Sequence, residues 1–341
     1  FIPPLIVTFI YKEPLSEIFL YSFLFLISLG VLMWFISRQK GLPLNISDGF
    51  IITTMFWIVL ACAGSIPFYF FGLSFNDAIF ESVSGITTTG ATLIVGLDEL
   101  PKSLLLYRQL LQWIGGMGLI ILAVAVMPAL GIGGSQLYKM ELPGSHGNQK
   151  LTPKITDSAK ALWKIYFGLT LACALLYILS GMDLFDAIAH SLSTVAGGGF
   201  STHDKSIGFF DSGLIEAVCI IFMLLSAASF AVHYAAIFGG KPLRYFYDSE
   251  FRFFLIVVMS IILITLIFHT ISNSYADILL TLRASIFHTV SIVTTSGFTT
   301  ENFSLWPSFL PYLLLVGAFM GACSQSVGGG IKTWRVLIML N

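Results

Sequence analysis

Long apolar runs alternate with short polar stretches along most of this chain. A helix needs about 20 predominantly apolar residues to cross the hydrocarbon core of a bilayer, and several runs approach or exceed that length. They predict membrane helices over approximately Leu15–Ile36, Ile51–Phe71, Leu104–Met127, Leu162–Ser180, Leu214–Phe238, Phe253–His269 and Phe309–Met339. Glycines interrupt the last run. The opening run FIPPLIVTFIY is too short to span, so we expect it to be the end of a truncated first helix.

The composition agrees with a polytopic, all-α membrane protein, because 56% of the residues are hydrophobic and only 10% are charged. No clustered basic tract indicates a nucleic-acid partner. No G-x-S-x-G, H-E-x-x-H, P-loop or G-x-G-x-x-G string indicates an enzyme. The cysteines lie in apolar runs without C-x-x-C spacing, which is typical of small core residues. They are Cys62, Cys173, Cys219 and Cys323.

The basic residues fall mostly in polar joints on one side of the predicted membrane. That side is predicted to be cytoplasmic, because cytoplasmic joints carry an excess of lysine and arginine. The residues concerned are Arg38, Lys40, Lys139, Lys150, Lys154, Lys160, Lys164, Lys241, Arg244, Arg252, Lys332 and Arg335. Successive membrane helices must leave these basic joints on the cytoplasmic side. This is possible only if segments such as Phe75–Thr92 enter and leave the membrane by the same face, as re-entrant loops.

Three of these segments are copies of one another. They read DAIFESVSGITTTGAT (Asp77–Thr92), DAIAHSLSTVAGGGFS (Asp186–Ser201) and ASIFHTVSIVTTSGFT (Ala284–Thr299), and they align without a gap. Each copy lies between two apolar helices, so the predicted unit is a helix, a half-helix, an extended polar strand and a second helix. A fourth copy would fall beyond Asn341. The invariant positions are Ser84, Ser193 and Ser291, followed by Gly90, Gly199 and Gly297.

The strings TTTG, AGGG and TTSG that end the half-helices are poor helix formers. Non-helical backbone is tolerated at membrane depth only where it is buried in protein or lines a watery cavity. Glycine permits torsions that turn successive carbonyls the same way, and rings of such carbonyls replace the hydration shell of a cation. The partially negative end of each half-helix adds attraction for a cation. A packing seam would account for one such run, but three copies predict a cation filter.

Taken together, these strings resemble the Trk/Ktr/HKT superfamily of potassium transporters, most closely its bacterial TrkH branch. The further matching strings are ATLIVGLDELPKSLLLYRQLLQWIGGMG after the first filter segment, GGGFSTHD at the second, SGFTT at the third, and GACSQSVGGGIKTWR in the last run. The resemblance implies a pseudo-four-fold pore of helix–re-entrant loop–helix units, three of which are present, after an N-terminal helix pair. The absent fourth repeat departs from the family pattern.

The resemblance also implies ligands, partners and a location. Potassium would be the transported ion, bound by backbone carbonyls next to the filter glycines. The expected partners are a second copy in a homodimer, membrane lipid, and a cytosolic nucleotide-binding regulatory ring, TrkA, through which alone nucleotide would act. The location would be the bacterial inner membrane. The implied potassium ligands are the carbonyls of Thr87, Thr88, Thr89, Ala196, Gly197, Gly198, Thr294, Thr295 and Ser296.

The repeats divide the chain into six predicted parts. Residues 1–47 would form the N-terminal helix pair, and 48–135, 161–240 and 253–341 the three pore repeats. Residues 136–160 and 241–252 would be cytoplasmic linkers.

The last apolar run breaks at GAFMGACSQSVGGG, from Gly317 to Gly330. The resemblance makes this segment an intramembrane loop that gates the pore, and the alternative is a packing kink. The candidate gate residues are Gly317, Gly321, Ser324, Gln325, Ser326, Gly328, Gly329 and Gly330.

Several ionisable residues near the filter have open roles. Charged residues at the outer face, Arg108, Arg283 and Lys205, are predicted to be interfacial anchors. The alternatives are that these cations repel an ion or pair with an acid. One equivalent position in the three half-helices carries Glu81, His190 and His288, which would tune the field of the filter or pack through hydrogen bonds. His233 is predicted to be a hydrogen-bonded histidine between helices.

These features predict potassium uptake through a carbonyl-lined filter, gated by an intramembrane loop and a cytosolic regulator. The alternative is an ion-coupled secondary carrier: a K⁺/Na⁺ or K⁺/H⁺ symporter, or a transporter of small solutes. Carriers of that kind place broken helices in inverted repeats around a midplane site, whereas these repeats share one orientation.

Overall fold

A computed structural model of the chain describes residues 1–37, 46–118, 155–272, 274–275, 277–307 and 309–340. Over these ranges the chain consists of helices joined by turns and short 3-10 segments, with no β-strand. The helices are α1 (Ile2–Tyr11), α2 (Ser16–Ile36), α3 (Ile46–Phe71), α4 (Phe75–Ile86), α5 (Lys102–Gly116), α6 (Ile155–Leu179), α7 (Leu184–Ala196), α8 (Gly213–Ala227), α9 (Phe230–Ile237), α10 (Arg244–Tyr247), α11 (Ser249–Ile271), α12 (Ile278–Val293), α13 (Leu310–Met320) and α14 (Thr333–Leu340).

Within the described ranges, four helices are long and apolar enough to cross a bilayer, which confirms four of the predicted spans. They are α2, α3, α6 and α11. Among these, α2 buries only Phe19 and Ser22, so nearly all of its surface is free to contact lipid. Polar backbone groups within such helices bond to one another, which is what a lipid environment requires.

The predicted span Leu214–Phe238 is not one straight helix. It divides into α8 and α9, whose axes are bent by 103°. Ala228 and Ser229 take extended backbone conformations at the break, and the Ser229 hydroxyl caps α9 by accepting a hydrogen bond from the amide of Ala231 at 3.2 Å. The two helices together still have the length and apolar character predicted for a span. The sequence did not indicate the break, because apolar character alone cannot show that backbone from another part of the chain bonds at the bend.

The three half-helices are α4, α7 and α12, and each packs between a preceding and a following helix of its own repeat. Their N-termini are capped by Ser74, Asp183 and Asp277, whose side-chain oxygens accept from backbone amides in the first turn. Such caps satisfy amide groups that have no partner within the helix. Contacts of α5 with α7, and of α8 with α12, join each repeat to the next.

Some sequence predictions fall outside the described residues. These include the second half of the run Leu104–Met127 and the basic residues Arg38, Lys40, Lys139, Lys150 and Lys154. Among the cysteines, Cys173, Cys219 and Cys323 are buried as expected, whereas Cys62 is exposed. Cys62 lies on α3, and the expectation that it is a core residue was wrong.

Candidate functional site

The three half-helices end in the same backbone arrangement. After α4, α7 and α12, the third residue of each predicted filter string donates its amide back to the carbonyl of the aligned serine. The three hydrogen bonds are Thr89 N to Ser84 O at 2.9 Å, Gly198 N to Ser193 O at 3.0 Å, and Ser296 N to Ser291 O at 2.9 Å. The repeat found in the sequence is therefore also a repeat of backbone structure.

The sign of φ alternates along each filter string: the first and third residues have negative φ, and the second and fourth have positive φ. The fourth residue of each string has a positive φ, with values of 78° at Gly90, 76° at Gly199 and 83° at Gly297. The second residue is also left-handed, with φ of 55° at Thr88, 65° at Gly197 and 62° at Thr295. Glycine takes such values at little cost, whereas a β-branched residue rarely does.

The two left-handed threonines were not foreseen from the sequence. Each donates its own hydroxyl to the carbonyl of the preceding residue: Thr88 Oγ1 to Thr87 O at 2.7 Å, and Thr295 Oγ1 to Thr294 O at 2.6 Å. These bonds compensate part of the strain of the unusual torsion, since strained residues persist only where their surroundings hold them. The only sign in the sequence of this unusual torsion was that threonine recurs at the same position in two of the repeats.

The filter strings of adjacent repeats touch at the glycines. A Cβ atom added to Gly90 would overlap the carbonyl oxygen of Gly198, and one added to Gly199 would overlap the carbonyl oxygen of Ser296. A Cβ at Gly297 would meet no described atom within 4 Å. The three predicted strings therefore converge on one place, and two of their glycines are required by close backbone approach as well as by torsion.

The equivalent side chains Glu81, His190 and His288 connect each half-helix to the chain that leaves the filter. Glu81 Oε1 accepts from the Thr92 hydroxyl at 2.9 Å, and His190 Nε2 bonds the Ser201 hydroxyl at 2.9 Å. His288 Nε2 lies 3.3 Å from the carbonyl oxygen of Glu301. All three are fully buried. Of the two roles considered, packing through hydrogen bonds is what the structure shows.

The prediction that Arg108 is an interfacial anchor was wrong. Its side chain is fully buried and its Nη2 lies 2.8 Å from Glu81 Oε1. Its guanidinium also stands over the ring of Phe200, 4.3 Å from the centroid, and donates to Ser201 O at 3.3 Å. A buried charge needs a partner of opposite sign, and the sequence did not reveal that the half-helix supplies it.

Arg283 likewise forms an ion pair with an acidic residue rather than acting as an unpaired interfacial anchor. Its Nη2 lies 2.8 Å from the carboxylate oxygen Oε1 of Glu216 on α8, which joins repeats 2 and 3. Lys205, the third predicted anchor, is exposed. His233 confirms its prediction, because it is buried and both of its nitrogens have partners: the Tyr245 hydroxyl at 2.6 Å and Leu225 O at 2.9 Å.

The segment predicted to gate the pore forms a structured loop between α13 and α14, over residues 321–332. Gly317 lies within α13, and Gly321 ends that helix with a φ of 67°. The loop closes on itself, because Ala322 N donates to Gly329 O at 3.2 Å. Its glycine-rich end reaches the third predicted filter string, where Gly329 N donates to the hydroxyl oxygen of Thr295 at 2.6 Å. The remaining candidate gate residues also lie in this loop: Ser324, Gln325, Ser326, Gly328 and Gly330.

Two other parts of the chain hold the first half of the loop. At the break between α8 and α9, Cys323 N donates to Ala227 O and Phe230 N donates to Gln325 O, both at 3.0 Å. At the start of α11, Glu250 Oε1 accepts from Ser324 N at 2.5 Å and from Trp334 N at 3.1 Å. Glu250 therefore ties the beginning of the loop to the helix that follows it, a role that the sequence did not indicate.

The loops that leave the first and second filter strings also bond to each other. Asp204 accepts from the amides of Gly96 and Leu97, both at 3.1 Å. His203 contacts the carboxylate of Asp98 through Nδ1 and that of Asp186 through Nε2. Partial burial lowers the pKa of His203, but hydrogen bonds with these two carboxylates outweigh it and raise that pKa above 6.5. The hydrogen bond from His203 lowers the pKa of Asp98.

Comparison with known proteins identifies relatives over nearly the whole chain. The TrkH family, described as cation transport protein, matches residues 15–341. The Trk system potassium uptake protein TrkH of Vibrio parahaemolyticus is 48% identical over 341 residues, which cover 98% of this chain and 70% of that protein. The protein of the same name from Escherichia coli K12 is 46% identical over 339 residues, covering 98% and 70% of the two chains.

A solved structure supports the same relationship. The crystal structure of the potassium transporter TrkH from Vibrio parahaemolyticus superposes with a TM-score of 0.88 at 46% sequence identity, covering 99% of this chain and 70% of that one. The Trk system potassium uptake protein TrkG of Escherichia coli K12 is 42% identical over 341 residues, which cover 99% of this chain and 70% of that protein.

Proposed function

Because the chain belongs to the TrkH family of cation transport proteins, we propose that it takes up potassium through a filter formed by the three repeated strings. The observation that carries this proposal is the alternation in the sign of φ along all three strings, at the point where they converge. Alternating torsions turn successive carbonyls to one side, and carbonyls of that kind can replace the hydration shell of a cation.

The proposed potassium ligands are the backbone carbonyls of the first three residues in each string. Their side chains are threonine, serine, alanine or no side chain at all, so charge on the ion is balanced by dipoles rather than by a carboxylate. The ends of α4, α7 and α12 add their partial negative charge. The proposed ligand carbonyls are those of Thr87, Thr88, Thr89, Ala196, Gly197, Gly198, Thr294, Thr295 and Ser296.

The proposal is tested with purified protein in liposomes. Uptake of radioactive rubidium, a potassium analogue, is measured against competing external potassium or sodium. We expect potassium to compete strongly and sodium weakly. Equal competition by the two ions would contradict a potassium filter, and absence of any cation flux from a correctly inserted protein would contradict cation transport itself.

We further propose that the loop over residues 321–332 is the gate. Support comes from its direct hydrogen bond to the filter residue Thr295 and from its docking in the break between α8 and α9. Deleting residues within Ala322–Gly329 should raise rubidium flux while leaving the preference for potassium intact. If a correctly assembled deletion variant shows unchanged flux, the loop is a packing kink and the gate lies elsewhere.

The remaining proposals concern partners and location. We propose a homodimer in the bacterial inner membrane, with a TrkA-like nucleotide-binding ring on the face that carries Lys241, Arg244 and Arg252, all of which are exposed. The same basic face suits anionic lipid. Retention of a TrkA-like subunit on the purified protein at low salt, and its release at high salt, would support the regulator. Failure to retain it at low salt would contradict this part of the proposal.

Coupled transport is the second candidate, because the described part of the chain contains a broken helix, the pair α8 and α9. Broken helices form the sites of many secondary carriers. A K⁺/Na⁺ or K⁺/H⁺ symporter would accumulate rubidium against its gradient when a sodium or proton gradient is imposed. Flux that depends only on the rubidium gradient and membrane potential would exclude this candidate.

A further inference from the structure

One polar side chain crosses from the first repeat into the filter string of the second. Gln112 lies on α5, the helix that follows the first filter string, and its side chain is fully buried. Its Oε1 accepts from the Ser193 hydroxyl at 2.6 Å and from the amide of Phe200 at 3.1 Å. Its Nε2 donates to the carbonyl oxygen of Gly198 at 2.6 Å.

These partners leave only one orientation for the amide. The backbone N–H of Phe200 can only donate and the carbonyl of Gly198 can only accept. Oε1 must therefore face Phe200, and Nε2 must face Gly198. A Cβ added to Gly198 would overlap the Gln112 amide, so the side chain packs directly against the filter backbone.

Gln112 replaces a hydrogen bond that the other two repeats make internally. Ser84 donates its hydroxyl to Ala91 O at 2.5 Å, and Ser291 donates to Phe298 O at 2.6 Å. In each case the acceptor lies seven residues after the serine. By the same spacing Ser193 would donate to Phe200 O, but its hydroxyl bonds Gln112 instead. The second filter string is thus held from outside its own repeat.

We propose that Gln112 is a positioning residue that sets the place and the charge of the Gly198 carbonyl, and so the selectivity of the filter for potassium over sodium. This inference rests on the proposed function, because Gly198 is one of the proposed ligands. A buried carbonyl that accepts an N–H bond is held in place and has less negative charge to offer an ion. One string of the filter therefore differs chemically from the others.

The main test variant is Gln112→Leu, which removes all three hydrogen bonds at a similar side-chain volume. The matched control is Gln109→Leu, on the same helix, since Gln109 is also buried but has no hydrogen-bond partner among the described residues. Permeability ratios for potassium and sodium are measured in liposomes together with total flux. We expect the potassium preference of Gln112→Leu to fall several-fold and that of Gln109→Leu to stay unchanged.

A conservative variant separates positioning from general packing. Gln112→Glu keeps the acceptor for Ser193 and Phe200, and its carboxyl donates to Gly198 only when protonated. We expect its potassium preference to match that of the wild type at low pH and to fall relative to the wild type as pH rises. Wild-type preference of Gln112→Glu at every pH supports a donor role only together with a loss of preference in Gln112→Leu, since the carboxyl would then stay protonated and donate to Gly198. Wild-type preference in both variants overturns the inference.

Ser193→Ala tests whether the serine acts through Gln112. We expect the double variant Ser193→Ala/Gln112→Leu to be no less selective than Gln112→Leu alone. The reason is that the effects of substitutions within one hydrogen-bond network do not add. Ser291→Ala, which touches no atom of Gln112, should add its effect independently.

Two outcomes would overturn the inference. One is wild-type selectivity in a correctly assembled Gln112→Leu protein, and the other is an equal loss of potassium and sodium flux with an unchanged ratio. If wild-type protein itself does not prefer potassium, the proposed function fails first. The wild-type measurement therefore distinguishes that failure from failure of the role given to Gln112.

Discussion

At the scale of single residues, glycine is required for two separate reasons at Gly90 and Gly199 of the proposed filter. Gly90 is left-handed, with a φ of 78°, and also lies against the carbonyl of Gly198. Any side chain at this position is strained by the torsion and collides with a neighbouring repeat. The requirement for glycine is therefore stronger than the backbone torsion alone would impose.

Gly90→Ser should admit more sodium, because the added Cβ must push the Gly198 carbonyl away and distort the carbonyl positions. The potassium-to-sodium permeability ratio in liposomes measures the effect. Gly30→Ala is a suitable control, since Gly30 lies within α2 and an added Cβ would meet no described atom within 4 Å outside the backbone of that helix. An unchanged ratio in Gly90→Ser would remove this glycine from the filter.

The ion pair of Arg108 with Glu81 supports a second prediction at this scale. Removing one member of a buried pair leaves the other charge unpaired, which costs about 3–5 kcal/mol, whereas replacing both often costs far less. Arg108→Gln should therefore lower the thermal stability of the detergent-purified protein more than the double variant Glu81→Gln/Arg108→Gln. The comparison is a thermal unfolding series followed by tryptophan fluorescence. Equal stability losses for the single and double variants would contradict this account.

At the scale of secondary-structure elements, the loop before α14 combines flexible residues with specific anchors. Three consecutive glycines at 328–330 disfavour a helix, since each costs about 1 kcal/mol relative to alanine. Yet hydrogen bonds fix both halves of the loop, to Glu250 and the α8–α9 break on one side and to Thr295 on the other.

Glu250→Ala should raise rubidium flux several-fold without a regulator, because it removes the acceptor that Ser324 and Trp334 share. Hydrogen bonds to a charged group contribute about 1.5–3 kcal/mol each. Glu250→Gln keeps an acceptor oxygen and should have a smaller effect. Ser260→Ala on the same helix is the control, since this exposed hydroxyl bonds only Ile256 of its own helix. Flux in Glu250→Ala equal to that of the control would show that Glu250 does not restrain the proposed gate.

At the scale of the whole molecule, the repeats are joined by contacts between residues far apart in the chain. Gln112 joins the first repeat to the second within the filter, and the cluster of Asp98, His203 and Asp204 joins the same two repeats in the loops that follow it. Arg283 and Glu216 join the second repeat to the third. Each link uses hydrogen bonds or charges in a protein whose surface is largely apolar.

The link through His203 predicts a pH-dependent stability. The pKa of His203 is raised in the folded protein. Its contribution to folding stability is therefore fully present below about pH 6.5, the ordinary pKa of histidine. That contribution is lost as pH rises through the pKa of the folded protein. The lowered pKa of Asp98 gives a contribution that is lost only as pH falls through its own acidic range. Stability of the wild-type protein should therefore decline from pH 6 towards pH 9, as expected for roughly one titrating group.

His203→Gln should flatten this decline, and Asp98→Asn should reduce it. Thermal unfolding at matched pH values compares the three proteins. Asp204→Asn is the control, since Asp204 bonds backbone amides rather than the histidine. The same pH slope in wild type and His203→Gln would show that the stability change comes from other groups.

The sequence by itself determined the helical membrane architecture, the family, the three repeats and the glycines that take left-handed torsions. Each of these is recorded in local residue patterns: apolar run length, repeated strings and the residue type that a torsion requires. The potassium-binding role of the carbonyls stays a prediction from those patterns.

Only the tertiary structure revealed the bend between α8 and α9, the pairing of Arg108 with Glu81, the anchoring of the loop by Glu250 and the position of Gln112. The physical reason is the same in each case. A polar side chain buried in an apolar environment must find a partner, and nothing in its local sequence specifies which distant residue the packing of helices brings within hydrogen-bonding distance.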